Sequence, residues 1–340
     1  MNTDRIKYIF GFVSILCFGY VLDVNAQTKN KNLPIPLDTT YTVASTYKNL
    51  RKTYPDITPV YPFSLKEVIE KRDVVYLKLL NTPFGTRDLH VDVFMPAGKN
   101  KVYPALLLIH GGGWRSGNKS LNTPMAQQLA ARGFVVVSLE YRLSLEAPYP
   151  AAVYDAKAAI RWMRANAKRY HIDDKKIAVG GSSAGGQMAS LVGTTNGQKK
   201  FEGTEGSMKF SSDVQAVIDL DGLLDFTDKE TLELKRNDKS ADVAWLESTY
   251  ETNPARWKEA SALHSVSASA PPFLFVNSSQ SRFHAGCKNM VEKLNGFGIY
   301  NEVKDLEGAP HSYWLFNPWF EPTVEYMAGF LNKVFNENRK

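Results

Sequence analysis

The chain has 340 residues, 44% hydrophobic and 22% charged, which is ordinary for a globular protein with a sizeable core and excludes a wholly disordered chain. Its formal charge of +6 comes from 41 basic and 35 acidic residues. They are scattered, with no block of five or six basic residues, which argues against a nucleic-acid-binding patch. A basic surface would favour an acidic polymer such as pectin, but a solvated surface without a partner is the simpler reading.

Arg5 and Lys7 precede an apolar run from Tyr8 to Val21, and Val24-Asn25-Ala26 ends in small residues. That layout predicts a secretory signal peptide over residues 1–26, cleaved after Ala26. The run is short of the ~20 apolar residues that a membrane span needs. Leu16 before Cys17 argues against a lipid anchor. A secreted or periplasmic protein with no membrane attachment after cleavage is expected. Cleavage would remove Cys17 and leave Cys287 without a partner, so stability must come from the core rather than from a disulfide.

Residues 27–70 are polar and carry Pro34, Pro36, Pro55, Pro59 and Pro62, and read as an extended lead-in wrapped around the domain. Val74–Leu80 and Leu89–Phe94 follow as paired strands, turning at Pro83-Phe84-Gly85. Ala105–His110 is a continuous apolar run, as in a buried parallel strand. Thr123–Arg132 reads as helix, Phe134–Leu139 as strand, Ala151–Ala167 as helix and Lys176–Gly180 as strand. Ser183–Thr195 is a helix, Val214–Leu220 and Phe273–Val276 are strands, and Ala285–Leu294 is a helix. Tyr300–Lys304 is the last strand and Pro322–Phe335 the last helix. The alternation predicts a mostly parallel sheet with helices on both faces over residues 71–340. Residues 226–270 break the rhythm as an insertion at the sheet's C-terminal edge, where such folds place ligands.

Gly181-Ser182-Ser183-Ala184-Gly185 fits G-x-S-x-G between a strand and a helix. A serine on that sharp turn exposes its hydroxyl, and only small neighbours tolerate the turn. Ser183 is therefore the candidate nucleophile; Ser182 lacks glycines at the right offsets. Upstream, His110-Gly111-Gly112-Gly113-Trp114 follows a buried strand and can turn backbone N–H groups toward a developing oxyanion. Gly112, Gly113 and Ala184 are the expected donors, with His110 holding the loop.

HGGGW, Glu140-Tyr141-Arg142-Leu143, Pro148-Tyr149-Pro150-Ala151-Ala152 with Asp155, and GGSSAGG together resemble the esterase/lipase branch of the α/β hydrolases. The similarity is to BD-FAE-like and hormone-sensitive-lipase-like esterases, including bacterial acetyl and polysaccharide esterases, and covers about residues 75–335. It implies the α/β-hydrolase fold and a Ser-His-acid mechanism. It also implies structural roles for Tyr141, Arg142 and Asp155.

His311, in Gly308-Ala309-Pro310-His311-Ser312, follows the last strand, where the family carries its catalytic histidine. His284 is the competitor, with helix-start residue as its alternative role. The acid departs from the family pattern. After Phe273–Val276 the chain reads Asn277-Ser278-Ser279-Gln280-Ser281-Arg282-Phe283-His284, with no carboxylate before Glu292. The role falls to an earlier strand end, Asp219-Leu220-Asp221-Gly222, where Asp221 is best placed; Asp225, Asp305 and Glu307 remain alternatives.

Arg282 and His284 are expected beside the site, as contacts for a polar or anionic substrate group or, for Arg282, as partner of a structural acid. Trp114 and Trp314 are candidate platforms for a sugar face, against the simpler reading that they pack the core. No His/Cys cluster has metal-ligand spacing, and no cofactor is called for. With the subfamily resemblance, the expected activity is removal of acyl groups, O-acetyl first, from plant polysaccharide. Pectin methylesterase and a general short-chain carboxylesterase are the alternatives; a lipase is disfavoured by the charged start of the insertion. A degenerate hydrolase acting as a carbohydrate-binding module is the reading outside enzymes. Oligomeric state is not legible.

Overall fold

The computed structural model describes residues 33–98 and 101–336; the expected signal peptide lies outside them. The lead-in is not wholly extended. It carries helix α1 (Val43–Leu50), because Thr42 Oγ1 accepts from the Ser45 N–H and Ser45 Oγ accepts from the Thr42 N–H, both at 3.0 Å. Prolines on either side hid this capping box. A short strand β1 (Thr58–Pro59) follows, and Ile57 is buried.

The main sheet contains β2 (Val68–Thr82), β3 (Gly85–Pro96), β4 (Tyr103–Ile109), β5 (Val135–Leu139), β6 (Ile172–Ser182), β7 (Ala216–Leu220), β8 (Phe273–Asn277) and β9 (Asn301–Asp305). The first strand thus begins inside the range read as lead-in. The order is β2-β3-β5-β4-β6-β7-β8-β9. The pairs β2–β3 and β3–β5 are antiparallel and the rest parallel. A separate strand β10 (Phe316–Asn317) pairs with β1 and ties the lead-in to the segment after His311.

The continuous apolar runs reflect burial on both faces, since successive side chains point to opposite sides. Ala105, Leu107 and Ile109 of β4 face one core layer and Leu106 and Leu108 the other. The first layer takes α3 (Ala151–Ala165), α4 (Ala184–Thr194) and α8 (Cys287–Gly296); the second takes α2 (Thr123–Ala131) and α9 (Phe320–Asn336). Cys287 is a free buried thiol. Burial pushes its pKa up to about 12, so it stays protonated and unreactive at neutral pH.

Residues 226–270 fold as α5 (Lys229–Leu232), α6 (Ala241–Leu246), α7 (Pro254–Ala260) and a 3₁₀ turn. Trp245 and Trp257 of this insertion are fully buried. Trp245 stacks on Trp114 at 4.8 Å between ring centroids, which anchors the insertion over the sheet edge. Trp245→Ala is expected to lower the unfolding free energy by about 3–5 kcal/mol, seen as a lower denaturation midpoint in urea.

Candidate active site

Strand β6 ends at Ser182 and α4 begins at Ala184, leaving Ser183 alone in the turn with φ 53° and ψ −121°. A non-glycine residue holds such a conformation only when its surroundings enforce it. Here the Ser183 N–H donates to Leu220 O at 2.8 Å, tying the turn to β7. The start of α4 also lies against β4. A Cβ on Gly185 would sit 2.2 Å from Ile109 O, so no side chain fits there. Ser182 is buried, whereas Ser183 Oγ lies 2.9 Å from His311 Nε2.

Gly112 has φ 124°, and its carbonyl accepts from the N–H of Ser116 at 3.0 Å in a tight turn. The turn brings the loop against the serine: a Cβ on Gly111 would meet Ser183 Cβ at 3.1 Å. Among the described residues, the amides of Gly112, Gly113 and Ala184 donate to no protein acceptor. The Ala184 amide is also one of the free N–H groups that begin α4. His110 lies beneath the loop, stacked on Tyr141, with Nδ1–H donating to Gly111 O at 2.8 Å. Burial lowers its pKa to about 4 and keeps it neutral.

Asp221 follows directly on β7 with φ 57°, its N–H donating to Val276 O. Its Oδ2 accepts from His311 Nδ1 at 2.6 Å. That bond fixes the tautomer in which Nε2 is free to accept from Ser183. Asp221 Oδ1 accepts from the Ser278 N–H at 3.0 Å and from His284 Nδ1 at 2.8 Å. Desolvation works against the charged form, yet the hydrogen bonds from His284 and His311 hold the Asp221 carboxyl well below the usual carboxylate range. The alternative acids sit elsewhere. Asp225 accepts from Thr227 and lies 3.2 Å from His264, Asp305 accepts from Asn277, and Glu307 is exposed.

A cavity of about 250 Å³ opens onto Ser183, walled by Gly113, Ala184 and Asp221 and by Leu223, Leu234 and Phe283. The insertion supplies Thr231, Arg236, Ala241 and Asp242. Arg282 stands in this wall over the Phe283 ring at 4.0 Å, with no ion pair among the described residues.

Three expected substrate contacts fall differently. Trp114 touches the cavity, but it is buried and its indole N–H donates to Gln187 at 2.9 Å, so it mainly joins the glycine loop to α4. Trp314 is buried and meets His311 edge-on at 5.0 Å, backing that ring instead of offering a sugar platform. His284 is outside the cavity wall and is bound to Asp221. Phe283, stacked on His311 at 3.5 Å, was not singled out from the sequence; only its position between Arg282 and His284 hinted at it.

A serine at a strand-to-helix elbow, hydrogen-bonded through a histidine to a buried aspartate above a mostly parallel sheet, defines an α/β hydrolase. Within that class the chain belongs to the BD-FAE family, whose profile matches residues 91–285. It is 31% identical over 242 residues to esterase LipC of Mycobacterium tuberculosis, covering 69% of this chain and 59% of LipC. Carboxylesterase NlhH of the same organism is 37% identical over 142 residues, 42% of this chain and 40% of NlhH. The chain thus spans about half the length of these relatives. Among solved structures, a truncated carbohydrate esterase from gut microbiota shares the fold at TM-score 0.71 and 24% identity, covering 81% of this chain and 99% of that one. A thermophilic esterase of Thermogutta terrifontis, Est2, superposes at TM-score 0.64 with 26% identity, covering 82% and 96%.

Burial lowers the pKa of His311 from its ordinary value of 6.5, with Asp221 pulling the other way. Because the neutral ring is the form that accepts a proton, reactivity should persist below that value. Inactivation of Ser183 by an organophosphonate, followed against pH, is expected to show an acid limb with an apparent pKa below 6.5.

Proposed function

We propose that this protein is a secreted serine esterase that removes acyl groups, O-acetyl first, from plant cell-wall polysaccharide. The observation that carries the reading is the hydrogen-bonded line Asp221–His311–Ser183 opening on the cavity. His311 Nε2 takes the Ser183 proton as Oγ attacks the ester carbonyl. The resulting oxyanion lies against the amides of Gly112, Gly113 and Ala184, at ~3 kcal/mol per donor. His311 then gives its proton to the sugar oxygen as its bond to the acyl carbon breaks, and the sugar leaves as a free hydroxyl. It next draws a proton from water as the water oxygen attacks the acyl-enzyme carbonyl, and returns that proton to Ser183 Oγ as the Oγ–acyl bond breaks, releasing acetate and free Ser183. Asp221 stays ionised throughout and stabilises the imidazolium.

The choice of a small acyl group is supported by the cavity's size: about 250 Å³ is below the ~300–1,000 Å³ of pockets for drug-sized ligands. The saccharide side is supported by the likeness to a carbohydrate esterase. A second reading, pectin methylesterase, draws on Arg282: a guanidinium in the cavity wall, without an ion pair among the described residues, suits the carboxylates of a galacturonate chain. Export through residues 1–26 belongs to the proposal and calls for N-terminal sequencing of the mature protein.

Acetate and methanol are to be followed from acetylated xylan and from pectin, with wild type and Ser183→Ala side by side. Acetate released by wild type alone is the expected result; methanol alone moves the reading to a methylesterase. If neither appears and p-nitrophenyl acetate also survives, the esterase reading is wrong. Asp221→Asn is expected to lower kcat by ~10⁴, whereas a rate within about threefold of wild type would remove Asp221 from its role.

A further inference from the structure

The acid of this site has two imidazoles on it. His311 holds Asp221 Oδ2 and His284 holds Oδ1, at 2.6 and 2.8 Å. We infer that His284 is a positioning residue for the reaction: its N–H fixes the rotation of the Asp221 carboxylate and takes up part of its charge, which sets both the aim and the basicity of His311. The inference rests on the Ser183–His311 esterase reading and adds a fourth member to its hydrogen-bonded line.

The segment carrying His284 is built to hold this contact. Ser281–His284 forms a 3₁₀ turn in which adjacent residues reach two members of the line: Phe283 lies flat on His311, with 8° between the rings, and His284 meets Asp221. Ser281 Oγ donates to Glu230 at 2.7 Å, and Ala285 O accepts from the N–H groups of Leu224 and Asp225. Gly286, at φ 87°, lets the turn press on Asp225, where a Cβ would come within 2.8 Å of the Asp225 Cβ. The turn is therefore clamped to the loop that follows Asp221 itself.

His284 is not in the cavity wall, so it does not contact substrate there. Its side chain is 18% exposed and borders a surface recess with Ser278, Ser279, Ser281, Asp305 and Glu307. The titratable and charged groups around the pair are Asp221 between the rings, Asp219 buried on β7, Arg282 beside His311, and Asp305 and Glu307 across the recess. Arg282 and His284 oppose protonation of His311, and Asp221 favours it. Without the His284 donor, more of the Asp221 charge falls on His311. His311 then binds its proton more tightly and the acid limb moves to higher pH. The carboxylate also loses one of three bonds that fix its rotation, and kcat falls.

The test compares His284→Leu and His284→Phe, which lack the donor, with His284→Asn, whose side-chain amide can replace it. Profiles of kcat and kcat/KM against pH are measured on p-nitrophenyl acetate, with Ser183→Ala as the blank. The non-donor variants are expected to lose about tenfold in kcat and to raise the acid limb by about half a pH unit. His284→Asn is expected to recover most of kcat and the original limb. Either non-donor variant suffices if the other does not fold, and Phe keeps the ring's bulk. Folded non-donor variants with an unmoved limb, or His284→Asn no better than His284→Leu, would overturn the role of His284 alone. A wild type as inert as Ser183→Ala would instead sink the esterase reading, and this inference with it.

Discussion

The arrangement depends on a buried carboxylate. Asp221 is almost wholly removed from water at the end of β7, and an ionised carboxylate there would cost several kcal/mol if left unpaired. Three donors meet it, from His311, His284 and the backbone of Ser278. They come from the segments after β8 and β9, so satisfying one charge fixes how two separate loops close over the sheet edge. Phe283 and Trp314 then confine the His311 ring, one by its face and one edge-on.

The serine is held by backbone rather than by charge. Its positive φ is held where β6 passes directly into α4, with its N–H bonded to Leu220 of β7. The glycine loop is fixed differently again, by the turn at Gly112, by His110 and Tyr141 beneath it, and by the Trp114–Gln187 bond to α4. Gln187 in turn donates to Ala260 O, so the insertion, the loop and the serine helix share one network. The lead-in joins from the other side, where Tyr41 Oη meets Ser312 Oγ at 3.3 Å, next to His311.

The position of Asp221, just after β7, bears on the neighbouring strand. Asn277, the last residue of β8, and Ser278 after it stand where the resembled esterases carry a carboxylate, and both supply donors to carboxylates instead. Ser278 gives its N–H to Asp221, and Asn277 turns to Asp305. Asp219, one residue from the strand's end, is kept apart by Ser190 and Gly222, both at 2.5 Å, and burial pushes its pKa up to about 7. A largely neutral Asp219 adds little like charge beside Asp221 at mildly acidic pH.

Turns that a backbone can make only with small residues are visible in a sequence, because the constraint is local sterics. That is why the elbow at Ser183, the glycine loop at Gly111–Gly113 and the alternating strands and helices were legible, and why the late His311 stood out by chain order. Asp221 was legible only as the best of several acids. The bond that singles it out joins residues 90 apart, and no local pattern distinguishes it from Asp225 or Asp305. The lead-in helix was hidden for a related reason: proline content outweighed a two-residue cap. Which side of an aromatic ring or an imidazole meets solvent is decided by packing between distant elements. Tertiary structure alone therefore turned Trp314 and most of Trp114 into the core, put Phe283 on His311, and set His284 against the acid rather than the cavity.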